Sequence, residues 1–396
     1  MPSPQPDYYV GPSGSVISGG RYRLPSWVPA QNTVATLTEA NTFQSVNPGR
    51  SPANGWSFNS SGVLIGGDSY IFAGTIDAFS GGVFNPYYGA KGCMVFCGGG
   101  HSVSNWCGIV ICDIATLTYS VIQGGSSNCY PVTVANGEYA DGSPVAVHSY
   151  DLLTVIGPES GYPLGALVLP LTNGGTVEAN VTCSAAHLFD FAHPENGWIR
   201  FAENNAGIIA TDASCAAYDP DLNRVWWISA GNNLPTLSYL NIATAAQAAI
   251  GITNKIPVSY TNSLTLRYDS ARKLLIHTNG SSDGATRRVY YLDTTSAGTG
   301  FLQATLYTAF PAPSSGLGFS FDRVPDGSYL CNVQGRIFRL TIPAVLTDAW
   351  TVAEITYAGA ALNTSYIHGK RWSYVPSIES FVWKSSSSTA HQIYRV

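Results

Sequence analysis

Six times along its 396 residues the chain repeats one pattern: a short apolar strand ends in an aromatic, often Tyr-Asp, turn, and a second apolar strand follows at once. The aromatics at that turn are Phe84, Tyr150, Tyr218, Tyr268, Phe321 and Tyr374, separated by 66, 68, 50, 53 and 53 residues. A period of this size marks one supersecondary unit copied along the chain. A single unit cannot bury both of its faces, so the copies must stack on one another. Function is then expected on loops at one end of the stack.

Within a copy the order is an inner strand, the aromatic turn, a central strand apolar on both faces, a polar loop, a third strand and a turn to an outer strand. The central strands fall at 93–97, 152–156, 224–228, 273–276, 328–331 and 380–383. Third strands fall at 108–113, 187–190, 237–241, 289–293, 337–341 and 392–395. The sixth copy stops at Val396 directly after its third strand, and a lone strand at 34–38 has no copy of its own. Pairing the two closes the stack into a ring without a bare sheet edge. The expected fold is all-β, a six-bladed β-propeller (seven blades being the alternative count) closed by an N-terminal strand. Residues 1–33, rich in Pro, Gly and Ser, read as an extended arm. The propeller takes 34–396, with blades near 70–135, 136–205, 206–252, 253–307, 308–358 and 359–396 plus 34–46.

Charged residues make up only 11% of the chain, aromatics 12%, and glycine (41) and tyrosine (23) are abundant. That balance suits short strands and tight turns and argues against disorder. Nineteen basic residues without a run, at a net charge of -5, give no nucleic-acid footprint. No apolar stretch is long enough to span a bilayer, so membrane insertion is not expected. The start, Met1-Pro2-Ser3-Pro4, lacks the features of an export leader, although the body has an extracellular character. Of eight cysteines, Cys97 and Cys107 could face each other across a hairpin. Spacings of three and four residues between cysteines match zinc sites poorly, so small buried strand residues are the default reading, and no metal or cofactor is expected.

The run Gly98-Gly99-Gly100-His101, followed by Ile109 to Tyr119, resembles the kelch repeat. So do Pro144-Val145-Ala146-Val147-His148-Ser149-Tyr150 and the closing Arg371-Trp372-Ser373-Tyr374-Val375-Pro376, which look like segments of galactose-oxidase-like kelch propellers of bacteria and phages. The resemblance covers about 34–396 and implies the propeller fold. It does not transfer an activity. The copper centre of the family's oxidases needs a Tyr directly before a His, and this chain has no such dipeptide.

Two groups of candidate site residues follow. The first rings the mouth of the axial channel on the face of the loops between central and third strands: His101, His148, Asp77, Asp212, Asn262, Ser315 and His368. Imidazoles with carboxylates could hold a metal or a sugar, against the plain alternative of a solvated polar channel. The second is aromatic: Tyr87, Tyr88, Trp106, Tyr130 and Tyr162 in loop-like context. Such rings anchor glycans or protein partners, or else fill gaps between blades. Neither a nucleophile elbow nor a phosphate-binding loop occurs.

The expected function is a non-enzymatic virion component, a phage tail or capsid-surface propeller that binds a glycan or receptor. It would attach to other virion subunits through the arm, with Tyr8 and Tyr9 as anchors. The alternatives are a secreted carbohydrate-active enzyme or galactose-oxidase-like oxidoreductase, and a bacterial kelch protein-interaction module.

Overall fold

In the computed structural model the described residues are 24–48, 75–76, 80–98, 106, 108–124, 138–139, 141–144, 149, 151–170, 172–175, 180–183, 185–203, 215–229, 236–250, 265–279, 287–296, 300–311, 319–364 and 371–396. They form a six-bladed propeller of sheets, five of four antiparallel strands and one of five whose outermost pair is parallel. Blade one runs Gly81–Asn85, Cys93–Cys97, Ile109–Asp113, Thr118–Gln123 from the axis outward. Blade three is Cys215–Asp219, Arg224–Ser229, Thr236–Asn241, Ala246–Ile250, and blade four is Thr265–Asp269, Leu274–Asn279, Arg288–Asp293, Leu302–Gln303. Blade five is Phe319–Arg323, Tyr329–Val333, Arg336–Thr341, Thr351–Ile355. The six inner strands touch their neighbours in a closed cycle. Apolar clusters fill the interfaces between blades, where strands apolar on both faces find cover on each side. No helix among the described residues is long and apolar enough to cross a membrane.

Blade two departs from the sequence reading. Its inner strand is Thr154–Ile156, followed by Ala166–Leu169, Ala185–Asp190 and Trp198–Glu203. The segment 152–156, expected as the central strand, therefore supplies the inner one. Val155, not Tyr150, occupies the turn-aromatic position, and the first two spacings become 71 and 63 by subtraction. Asp151 is the reason: it is a buried side chain that serves the axis rather than a turn.

The aromatic-Asp turns have a shared job. At the end of the wheel where inner strands turn into second strands, every blade junction is bridged by a polar contact. Asn85 Nδ2 donates to Leu164 O (3.1 Å), and Ser160 Oγ meets the Tyr218 hydroxyl at 2.6 Å. Tyr268 donates to Asp221 Oδ2 (2.7 Å), and Tyr329 to Asp269 Oδ2 (2.9 Å). Tyr374 N donates to Asp322 Oδ2 (2.9 Å), and Ser377 Oγ to Lys91 O (3.0 Å). The same acids brace their own turns, as Asp269 Oδ1 does by accepting from Ala271 N and Arg272 N. In five blades the fourth residue past the inner strand is left-handed: Gly89, Asn223, Lys273, Gly327 and Glu379, with φ from 49° to 88°. Asp269→Ala is expected to cost about 3 kcal/mol, because it strips a turn brace and the partner of a buried hydroxyl, and Tyr329→Phe only about 1. Denaturant unfolding of the two variants checks the ratio.

The ring closes as the chain ends imply. Blade six orders Trp372–Val375, Ser380–Trp383, Gln392–Arg395 and then Thr33–Thr36, with Ala358–Gly359 outermost. Val34, Ala35 and Thr36 lie opposite Tyr394, Ile393 and Gln392 in antiparallel register. Thr33 and Val34 also pair in parallel with Ala358 and Gly359. Gly359 has φ +90°, and a Cβ there would sit 2.1 Å from Val34 O, so the parallel clasp requires glycine.

A buried polar cluster locks the seam. Glu39 Oε1 accepts from the Tyr119 hydroxyl (2.8 Å), His391 N (2.9 Å), His391 Nδ1 (2.8 Å) and Lys384 Nζ (3.1 Å). The Lys384 side chain is 0% exposed and lies over the Tyr119 ring. Burial works to raise the Glu39 carboxyl, but the His391 hydrogen bond and the Lys384 charge outweigh it and hold the group down to about 2. Tyr119 belongs to blade one, so the cluster ties the closing strand to both neighbours of the seam.

Candidate functional site

The inner strands of blades one to four end around a pocket of about 210 Å³. It is lined by the aromatic residues Phe84, Tyr87, Tyr218 and Tyr268 and by Pro86, with Val83, Thr154, Val155, Ala217 and Arg267 completing the inner-strand side. Thr154 and Val155 take in blade two the places that Val83 and Phe84, Ala217 and Tyr218, and Arg267 and Tyr268 take in their blades. The pocket is thus an outcome of the repeat: equivalent residues converge wherever the strand ends approach the axis. At this size it lies below the roughly 300 to 1,000 Å³ of drug-sized sites and admits one ring rather than a chain.

The tyrosine hydroxyls point away into the turns. Tyr218 is held by Ser160 and by Asn223 Oδ1 (3.2 Å), and Tyr268 by Asp221. Burial raises the phenols of Tyr87, Tyr218 and Tyr268, with the Glu159 carboxylate adding for the first two and Asp221 and Asp219 for the third. These phenols therefore stay protonated near neutral pH. Tyr87 packs so closely on Gly157 that a Cβ at that glycine would lie 2.5 Å from its hydroxyl, which ties the blade-one wall to blade two.

Among the described lining residues Arg267 is the one cation. Its side chain is 9% exposed and pairs with the fully buried Asp151. Both Asp151 oxygens lie on Nη1, at 3.2 and 3.1 Å, and Oδ2 also accepts from Leu266 N at 2.8 Å. Asp151 O accepts from Ala216 N (3.0 Å), so this residue of blade two is clasped by blades three and four. The guanidinium lies over the Phe321 ring, 5.4 Å from its centroid.

Of the aromatic residues singled out from sequence, Tyr87 lines this pocket. Tyr88 and Tyr162 are half-buried against the blade-two core. Trp106 takes the second of the two readings, that of a gap filler: it is 0% exposed and packs with the blade-one and blade-six core, where a Cβ at Gly108 would collide with its ring. Tyr130, the arm residues Tyr8 and Tyr9, and the channel-mouth set His101, His148, Asp77, Asp212, Asn262, Ser315 and His368 all lie outside the described residues.

Cys93, Cys97, Cys112 and Cys331 are free and buried, and Cys215 is buried with its Sγ 3.8 Å from His277 Nδ1. Burial pushes the Cys97 thiol up to about 12 and raises those of Cys93, Cys112 and Cys331 as well, which leaves them inert. Cys107 lies outside the described residues. Among the described residues no cluster of His, Cys, Asp and Glu has the geometry to hold a metal ion.

No family model matches the chain, and no curated protein matches its sequence. Solved structures similar to it include TolB from Acinetobacter baumannii, 12% identical with a TM-score of 0.36. That match covers 79% of this chain and 62% of TolB, so the chain spans less than two thirds of that relative's length. An auxiliary nutrient binding protein from Bacteroides thetaiotaomicron is 9% identical, with a TM-score of 0.46 over 81% and 69% of the two chains. An α-L-arabinofuranosidase from Fusarium graminearum is 11% identical, with a TM-score of 0.47 over 80% and 97%. The six-bladed assignment rests on the strand pairing above.

Proposed function

We propose that this propeller is a binding protein of kelch type, a glycan adhesin carried on the outside of a virion, and that it holds its ligand in the axial pocket. The observation that carries this reading is the set of four aromatic side chains, Phe84, Tyr87, Tyr218 and Tyr268, that line a space of about 210 Å³. The C–H faces of a pyranose sit well against the electron-rich faces of such rings. The rigid, doubly clasped ring keeps those faces in place before the ligand arrives, which lowers the cost of binding. The ionisable groups around the pocket support binding rather than catalysis, since its tyrosines stay neutral and its arginine is already paired. Low charge and the Pro-, Gly- and Ser-rich arm support a place on a particle surface.

A glycan array followed by calorimetry tests the reading. Tyr87→Leu with Tyr218→Leu keeps apolar volume and removes two flat faces. At about 0.5 to 1.5 kcal/mol per ring contact, the pair is expected to weaken binding roughly tenfold or more. Full affinity in that variant would move the site elsewhere, and bond cleavage of a bound glycan would turn the reading toward a carbohydrate-active enzyme. Imaging of native particles checks the location: the chain is expected on their surface, and its recovery only in particle-free fractions would contradict the virion role.

A further inference from the structure

We propose that the junction of blades four and five carries an anion site of its own, in which the forks of Arg272 and Arg323 hold one sulfate or phosphate group, free or esterified to a sugar. This site is independent of the axial pocket. Arg272 lies in the turn that follows the inner strand of blade four, and Arg323 closes the inner strand of blade five. Both guanidinium groups lie over Gly327 in the next turn. A Cβ built on that glycine would stand 3.6 Å from Arg323 Nη2, and 3.7 and 3.8 Å from Arg272 Nη2 and Nη1. The two Nη2 atoms are therefore at most about 7.3 Å apart, the sum of the first two distances. Two oxygens of one tetrahedral anion, each about 2.8 Å from a nitrogen, bridge a gap of that size.

Two like charges this close repel unless an anion lies between them, and one buried carboxylate serves both. Asp269 has already spent its acceptor capacity. Its Oδ1 accepts from Ala271 N and Arg272 N, and its Oδ2 from the Tyr329 hydroxyl (2.9 Å) and Arg272 Nη1 (2.7 Å). Arg323 Nε lies 3.8 Å from Asp269 Oδ1, beyond hydrogen-bond reach, and is closed off from water. Among the described residues no acceptor takes Nη1 or Nη2 of Arg323, or Nη2 of Arg272, and these three atoms are not closed off as Arg323 Nε is. The neighbouring charges are engaged elsewhere: Asp326 with Arg339 and Ser328, and Asp322 with Arg323 N and with Tyr374 N of blade six. Arg272 Nη1 also donates to Gly327 O (3.1 Å), which fixes its fork. At 28% and 27% exposure the two side chains are held by the fold and still within reach of an ion from solvent. Planar forks match the oxygens of a sulfate or phosphate group in a way that an ammonium does not.

Calorimetry at constant ionic strength, with chloride as the balancing ion, tests the site. Sodium sulfate, sodium phosphate, galactose 6-sulfate and galactose are each titrated into the full chain and into three variants. Saturable binding of at least one anion is expected. Arg323→Gln removes a fork that no acceptor in the described chain uses, so it should keep the fold by circular dichroism and weaken that binding tenfold or more. Arg323→Lys keeps the charge and loses the fork, and should weaken it threefold or more. Arg336→Gln removes the same charge from an exposed pair with Glu354 and should change it less than twofold. Binding of galactose 6-sulfate well above galactose, lost in Arg323→Gln, assigns the group to a sugar; the same loss for the inorganic ions alone assigns the free ion. Absence of saturable binding by all three anions overturns the inference, as does undiminished binding in Arg323→Gln. Equal weakening in Arg336→Gln also overturns it, since it would reduce the effect to net charge. None of these results bears on the pocket, which the Tyr87 and Tyr218 variant tests separately.

Discussion

Glu39→Gln is expected to destabilise the folded chain by about 3 to 5 kcal/mol, the range for breaking a buried ion pair by removing one partner. Lys384 is fully buried and would lose its carboxylate, keeping only hydrogen bonds such as that to Thr389 O. His391 and Tyr119 would face an amide that accepts less well than the four-fold acceptor it replaces. The damage should be local before it is global. Hydrogen exchange at 33–36 and 392–395 should accelerate ahead of exchange in blades three and four, because the seam is where the cluster sits. Glu39→Leu with Lys384→Met removes both charges and is expected to recover most of the loss, as apolar replacements of buried pairs do. A cost under about 1 kcal/mol for Glu39→Gln would mean that the cluster is incidental to closure.

Stability should also fall steeply in mild acid. Among the described residues three histidines are buried within blades or at the seam: His187, His277 and His391. Burial lowers them from 6.5 to about 4, about 3 and about 4, with the Arg200 charge helping at His187 and Lys384 at His391, where the Glu39 hydrogen bond works the other way. Each folded pKa is depressed, so between about pH 4 and 6.5 the unfolded chain binds protons that the folded chain refuses. Stability from these groups is complete above 6.5 and is lost as pH falls toward 4. Three protons give a slope approaching roughly 4 kcal/mol per pH unit in the middle of that window. Glu39, held at about 2, adds a further loss below its ordinary 4.5. Denaturant unfolding at pH 7.5, 6, 5 and 4.5 measures the slope, and His277→Gln should reduce it by about one proton. Stability that stays flat from pH 7 to 5 would contradict the burial of these imidazoles.

The blades were legible in the sequence because strands that pack on both sides must be apolar throughout, and runs such as Cys93–Cys97 and Ser380–Trp383 can be nothing else. Closure was legible for a different reason: a sixth unit lacking its outer strand and a strand lacking its unit are complementary shortages. Blade two was misregistered because Ser149-Tyr150-Asp151 imitates the turn signature, while Asp151 is taken up by Leu266 N and Arg267. Nothing local distinguishes an aspartate that ends a strand from one that grips an arginine about 116 residues away. The pocket shared this difficulty. A lone arginine in an apolar inner strand, Leu266-Arg267-Tyr268, was the available signal, and it pointed to the axis. Lys384, just after a central strand and before a serine run, looks solvated in sequence and is sealed in the structure by its distant partner Glu39.

Closure of the wheel by its first strand underlies both the seam and the pocket, and a designed cross-link measures it most directly. Thr36 lies opposite Gln392 in the closing register. With Thr36→Cys and Gln392→Cys, air oxidation of the folded chain should give a nearly complete intramolecular disulfide and add about 2 to 4 kcal/mol of stability. Two thiols that stay titratable under oxidation, with the chain otherwise folded, would show that these strands are not neighbours and that the ring is closed in some other way.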